Sequence, residues 1–338
     1  MTARSTADAS LVTGDVRRDR CRGCLLGTAV GDALGAPGEF LSHDAVLARF
    51  GSAGIADFHP WDTFPAGSFT DDTQMTLATA QGLADAERAA QAGESYEPVA
   101  AVLARYITWH DSQADPRQRR HPGHTCMTAL QAAKAGHQGV AANWSKGCGG
   151  VMRMAPVGLV PSRRSPFDLG LELAALTHGH PAGYLPAGLV ADLVARLMGG
   201  ATLKRALVGA VAELERREAN EETLAAVQAA RELAAADVDE DEAGRRLGPG
   251  WVGEEALAVA LFCALRHPRD WRTAVLRAVN RDGDTDSTGA ITGAILGAAL
   301  GVRAIPAQWA ARVEASARIV ALADELWRLG AGEPEAGG

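Results

Sequence analysis

Gly289-Ala290-Ile291-Thr292-Gly293-Ala294-Ile295-Leu296-Gly297-Ala298-Ala299-Leu300-Gly301 carries glycine at every fourth position, and Gly23, Gly27, Gly31 and Gly35 repeat that spacing near the start of the chain. An interior helical glycine costs roughly 1 kcal/mol relative to alanine, so four in succession need an offset. Close approach of one helix backbone to another supplies it, as in small-xxx-small helix pairs. Asp32 within the first stretch and the shortness of the second argue against membrane spans. The two stretches are therefore expected to pack tightly at the centre of the fold.

Helical periodicity recurs outward from this pair. Val99, Val102, Leu103 and Tyr106 follow the i, i+3, i+4, i+7 pattern, as do Val190, Leu193, Val194 and Leu197, and Ile319, Leu322, Ala323 and Leu326. Alternating runs that would mark strands are hard to find, and only 5% of residues are aromatic. The expectation is an all-α, compact single-domain multi-helix bundle over 18–330, with loose tails at 1–17 and 331–338. The run Asp237 to Glu242, ahead of the glycine- and proline-containing stretch Gly244 to Gly253, reads as a solvated loop.

A composition of 47% apolar and 22% charged residues in 338 is ordinary for a globular protein. The net charge of -8 argues against a broad nucleic-acid-binding surface. No secretory pattern or membrane-length apolar run occurs, so a cytoplasmic monomer without membrane contact is expected. Five cysteines, an odd number, suit reduced thiols better than a disulfide framework, and Cys21-x-x-Cys24 reads as two buried helix thiols.

Two acidic clusters each open a helix: Thr70-Asp71-Asp72-Thr73 and Asp284-Thr285-Asp286-Ser287. One reading is helix capping, since Thr and Asp oxygens accept from free amides and negative charge suits the dipole. Capping needs one oxygen, however, and adjacent carboxylates repel, whereas a multivalent cation turns that repulsion into attraction. An EF-hand is excluded because Ser287 and Gly293 stand where its glycine and closing glutamate belong. Carboxylates and hydroxyls favour Mg²⁺ or Mn²⁺ over zinc. Ser145-Lys146-Gly147-Cys148-Gly149-Gly150 is a glycine-rich turn, expected to enter a helix, whose amides either cradle a pyrophosphate or simply turn the chain.

Gly31-Asp32-Ala33-Leu34-Gly35, Glu39, Thr70-Asp71-Asp72-Thr73, Gly147-Cys148-Gly149-Gly150-Val151-Met152-Arg153, Thr177-His178 and Gly283-Asp284-Thr285-Asp286, in that order, resemble the ADP-ribosylglycohydrolase family from about Arg20 to Trp309. The resemblance implies an orthogonal multi-helix bundle of that family's type with two Mg²⁺ or Mn²⁺ ions. It implies hydrolysis of the bond between the distal ribose of ADP-ribose and an acceptor, making ADP-ribose and an ADP-ribosylated protein or other acceptor the partners. Carried over by position, Thr70, Asp71, Asp72, Asp284, Asp286 and Ser287 are the expected metal ligands, Ser287 standing where many relatives have Thr. Glu39, Asp71 and Asp286 are the expected catalytic carboxylates. Ser145, Lys146, Gly147, Cys148, Gly149 and His178 are the expected substrate contacts, with Trp144 available to stack. Trp251 and Glu254 are expected to line the pocket, Met152 and Arg153 to brace the turn, and the loop Arg117 to His124 to shape acceptor access. The alternatives are a hydrolase of a free ADP-ribose-like metabolite and a silent ADP-ribose-binding protein.

Overall fold

The computed structural model describes residues 13–160 and 163–331, and helices are the regular elements throughout them. In chain order they are α1 (Thr13–Gly35), α2 (His43–Phe50), α3 (Asp71–Gln91), α4 (Pro98–Ser112), α5 (His124–Lys134), α6 (Pro166–Ala175), α7 (Pro181–Met198), α8 (Leu203–Leu214), α9 (Glu221–Ala235), α10 (Glu240–Leu247), α11 (Gly253–Arg266), α12 (Trp271–Val279), α13 (Thr285–Leu300), α14 (Ala307–Arg312) and α15 (Ser316–Ala331). Among the described residues extended pairing is limited to two isolated bridges, Trp61 with Phe64 and Gly147 with Val252. Of the expected tails, 1–12 and 332–338 lie outside the described residues, while 13–17 form the first turns of α1.

The glycine-stepped helices α1 and α13 run antiparallel at the centre, glycine against glycine. A methyl group added to Gly23, Gly27 or Gly31 would overlap the carbonyl of Gly297, Gly293 or Gly289 respectively, and the reverse holds for each partner. The series ends where Thr285 Oγ1 donates to the Gly35 carbonyl at 2.8 Å. That register sets the C-terminal end of α1 against the N-terminal end of α13, which carries Asp284 and Asp286. Trp271 Nε1 on α12 donates to the Gly293 carbonyl at 3.1 Å and fixes α12 against the pair. Asp324 on α15 accepts from the guanidinium groups of Arg18 and Arg22, clasping α15 to α1.

The apolar stripes expected on α4, α7 and α15 face the core: Val102, Tyr106, Leu193, Val194, Ile319 and Leu326 are all fully buried. Cys21 and Cys24 are buried in α1, and all five cysteines are free thiols. Two local expectations need correction. Glu240 to Leu247 is a helix rather than a loop, because Asp239 accepts from the amides of Asp241 and Glu242 and the acidic first turn complements the dipole. The turn at Cys148–Gly150 enters no α-helix; a single 3-10 turn is followed by a second one at Ala155–Gly158 that begins around Pro156. Consecutive glycines and a proline leave no stretch in which a helix could propagate. Among the described residues no helix is long and apolar enough to cross a membrane.

Candidate active site

Asp32 is where the central helix pair becomes a site. Fully buried on α1, its carboxylate accepts from the amides of Thr70 and Thr73, each at 2.9 Å, and from the Thr73 hydroxyl. It thereby caps α3 from another helix and leaves Asp71 and Asp72 free of that task. Thr70 is the N-cap of α3, its hydroxyl accepting from the Asp72 amide at 3.3 Å, and Asp284 is the N-cap of α13, accepting from the Ser287 amide at 3.1 Å. Capping thus accounts for Thr70 and Asp284, whereas Asp71, Asp72 and Asp286 remain buried beyond what the caps require.

The two clusters meet. Asp286 lies beside both Thr70 and Asp284. Burial, and after it the charge of Asp286, pushes Asp71 and Asp72 well above the usual carboxylate range, and the same causes raise Asp32 to about 7. Burial followed by the charge of Asp284 does the same to Asp286. Asp284 is raised by burial too, against hydrogen bonds from Asp286, Cys148 and Ser287. Among the described residues, Asp72 Oδ2 and Asp286 Oδ1 are buried without a hydrogen-bond partner. Buried anionic oxygens left without donors are what a hard cation satisfies. No three His, Cys, Asp or Glu side chains among the described residues converge at metal-ligand geometry.

These carboxylates open into a cleft of about 620 Å³, lined on one side by Asp71, Asp72, Asp284, Asp286 and Ser287. The other side is formed by Glu39, by Cys148, Gly149 and Met152 of the glycine turn, by Trp251, and by Arg119, His121 and His124 of the basic loop. Glu39 follows the end of α1. Burial first, then the charges of Asp286, Asp284 and Asp71, push its carboxyl up to about 12. Its Oε2 is 2.8 Å from His121 Nδ1. Phe40 and Trp251 stack at the mouth, ring centroids 5.2 Å apart and planes 17° from parallel.

Only part of the glycine turn faces this cleft. The Gly147 amide donates to Ser145 Oγ and the Cys148 amide to the Trp251 carbonyl, which leaves the Cys148–Gly149 end toward the cleft. The Cys148 thiol donates to Asp284 Oδ2 at 2.8 Å. His178 is buried beneath the turn with Nδ1 2.8 Å from Thr177 Oγ1, and burial followed by the nearby Arg153 charge lowers its pKa to about 3, so the ring is neutral. Ser145 and Lys146 lie outside the cleft wall; Lys146 pairs with Glu222 and Glu254, and Trp144 beside it is exposed, edge-on to His180. Arg153 braces the turn as expected, donating to the Gly149 carbonyl, to Tyr106 at 2.9 Å and to Thr177 at 2.6 Å.

A family model for ADP-ribosylglycohydrolases matches residues 13–336, nearly the whole chain. The chain belongs to the ADP-ribosylglycohydrolase family. It is 27% identical to the ADP-ribosyl-[dinitrogen reductase] glycohydrolase of Rhodospirillum rubrum, the match covering 90% of this chain and 93% of that one. Identity to the ADP-ribosylhydrolase ARH3 of Mus musculus is 26%, over 92% and 91% of the two chains. The ADP-ribosylarginine hydrolase Tri1 of Pseudomonas putida is 27% identical over 94% and 81%. A solved structure described as an ADP-ribosylglycohydrolase-related protein complex superposes with a TM-score of 0.72 at 26% identity, covering 94% of this chain and 99% of that one.

In the sequence of this family member, Asp32 stands inside a glycine motif with no role attached, and His121 is one member of a basic loop. Asp32 pairs with Thr70 and Thr73 across about forty residues, which no local pattern encodes. Phe40 is equally silent, because one aromatic after Glu39 carries no periodic signal.

Proposed function

We propose that this chain hydrolyses the bond between the distal ribose of ADP-ribose and an acceptor, with two Mg²⁺ or Mn²⁺ ions held by Thr70, Asp71, Asp72, Asp284, Asp286 and Ser287. The observation that carries the reading is the meeting of two acidic helix starts, with unpartnered oxygens on Asp72 and Asp286, beside Glu39, whose carboxyl is pushed up by burial and then by the charge of Asp286. Divalent ions bound there would polarise ribose oxygens and favour ionisation of a water. The chain's own residues do the rest. Glu39 keeps its proton and donates it to the departing acceptor, the task of a raised carboxyl in glycoside cleavage. The Gly149 side of the turn, which lines the cleft, presents backbone to the diphosphate.

Release of free ADP-ribose from arginine-linked, serine-linked and nucleic-acid-linked conjugates, with Mg²⁺, with Mn²⁺ and with chelator, tests this reading. Cation-dependent release from one linkage is expected and names the acceptor class. ADP-ribose binding without release from any conjugate would shift the function to a metabolite hydrolase or a silent binder.

A stability measurement checks the cation site separately. Asp32 and its neighbours have folded-state pKa values raised above their unfolded values, so their contribution to stability is fully present at acid pH and is lost as pH rises, for Asp32 through about 7. With chelator, Tm is therefore expected to fall between pH 5 and 8. Saturating Mg²⁺ or Mn²⁺ should raise Tm more at pH 8 than at pH 5, because a cation favours the ionised cluster. A flat profile with no cation response would remove the cation site.

A further inference from the structure

Glu39 is the inner end of a chain of three titratable groups. His121 Nδ1 is 2.8 Å from Glu39 Oε2, and Nε2 of the same ring is 2.8 Å from Asp62 Oδ2. Side-chain exposure climbs from 10% at Glu39 through 29% at His121 to 62% at Asp62, so the chain runs from the buried site to water. With a carboxyl oxygen at each ring nitrogen, an imidazole can accept a proton on one nitrogen while releasing one from the other.

The backbone is bent to make this line. Phe40, Asp62 and His121 have φ of +67°, +45° and +55°, three of only five non-glycine residues in the left-handed region among the described residues. Each such conformation costs on the order of 1 kcal/mol or more and persists where surrounding structure enforces it, most often at functional sites. They come from three separate segments and converge on one imidazole. Trp61 meets that ring edge-on at 5.0 Å and Phe40 lies tilted at 5.7 Å, fixing its plane. A surface ion pair as exposed as His121 with Asp62 contributes about 1 kcal/mol at most, too little to offset three such bends.

We propose that His121 and Asp62 form a proton relay that reloads Glu39 from bulk water, an inference resting on Glu39 as the acid of the proposed hydrolysis. As the bond from the anomeric carbon to the acceptor breaks, the acceptor keeps the electron pair and takes the Glu39 proton. Water forms the new bond to that carbon and releases one proton to solvent. A proton entering at Asp62 passes to Nε2 of His121 while Nδ1 delivers one to Glu39. The part-exposed ring regains its starting tautomer by exchange with water. His121 and Asp62 act through Glu39 and are positioning residues.

Asp62 is exposed, so Asp62→Asn retains the fold. Its kcat in dilute buffer is expected to fall on the order of tenfold with KM unchanged, and to recover as a small buffer acid is added. His121→Ala is expected to lose on the order of 100-fold in kcat and to regain much of it with added imidazole. Unchanged kcat of Asp62→Asn in dilute buffer overturns the relay. Ring ¹⁵N signals give a readout independent of turnover: Glu39→Gln should shift the Nδ1 signal of His121, and Asp62→Asn the Nε2 signal. Absence of both shifts overturns the relay whatever the activity. Both shifts in the variants, together with a wild-type protein that releases no ADP-ribose, would overturn the hydrolase reading, and with it the relay's part in catalysis.

Discussion

Asp286→Ala is expected to abolish measurable turnover while the helical circular dichroism is retained. Asp286 lies at the junction of the two clusters, beside Thr70 and Asp284, and it is the leading charged neighbour of Glu39, Asp32, Asp71 and Asp72. Removing it deletes a proposed ligand and lifts the charge that, after burial, does most to raise the Glu39 carboxyl. Changes one shell out from a metal already cost about 10–100-fold, so loss of a ligand should exceed 100-fold. Stability moves the other way. In chelator the variant loses a buried carboxylate with an unpartnered oxygen, so its Tm should match or exceed that of the wild type. Asp286 suits this test better than Asp284, which also caps α13 and would lose about 1 kcal/mol of helix stability when replaced. Collapse of the fold on Asp286→Ala would mean that the clusters are mainly structural caps.

Gly31→Leu is expected to give little or no folded protein. The added side chain would meet the Gly289 backbone, which cannot rotate away as a side chain can, and the helices would have to separate along the whole pairing from Gly23 to Gly35. Overpacking against movable neighbours costs about 1–3 kcal/mol. A rigid contact in a repeated register should exceed that and consume a large part of the roughly 5–15 kcal/mol that holds a domain. Gly244→Ala is the contrast: it lies in α10 with nothing within 4 Å of an added methyl group and should be neutral or stabilising by about 0.5–1 kcal/mol. Urea unfolding of both variants measures the difference. Similar midpoints for Gly31→Leu and wild type would refute the close pairing.

What the sequence made legible is what repeats or concentrates. Fourfold glycine spacing in two stretches predicted the central pair, because an unfavourable residue recurring at helix period has to be offset by close backbone packing. Doubled carboxylates at Asp71-Asp72 and Asp284-x-Asp286 were likewise conspicuous, being more than capping needs. Other features depend on partners far away in the chain. Asp32 capping α3, and Arg153 joining Gly149, Tyr106 and Thr177, are set by tertiary packing and leave no local pattern. At Asp239 the same composition that marked a site elsewhere was a plain cap on an exposed helix, so burial, invisible in sequence, separated the two cases. The His121 relay is hidden for a third reason. Left-handed backbone at non-glycine residues has no sequence signature strong enough to predict it.

The pairing of Gly35 with Thr285 spans 250 residues. A ribosome adding about 5–20 residues per second completes the first glycine helix tens of seconds before its partner emerges. Through that interval α1 holds a groove of bare backbone with nothing to fill it. Contacts this distant are slow to form. A chain cut short before Asp284 would lack Asp284, Asp286 and the support that sets α1 beside them. The proposed site is therefore assembled only once the last stretch of the chain is in place, and a prematurely ended polypeptide lacks one of its two acidic clusters.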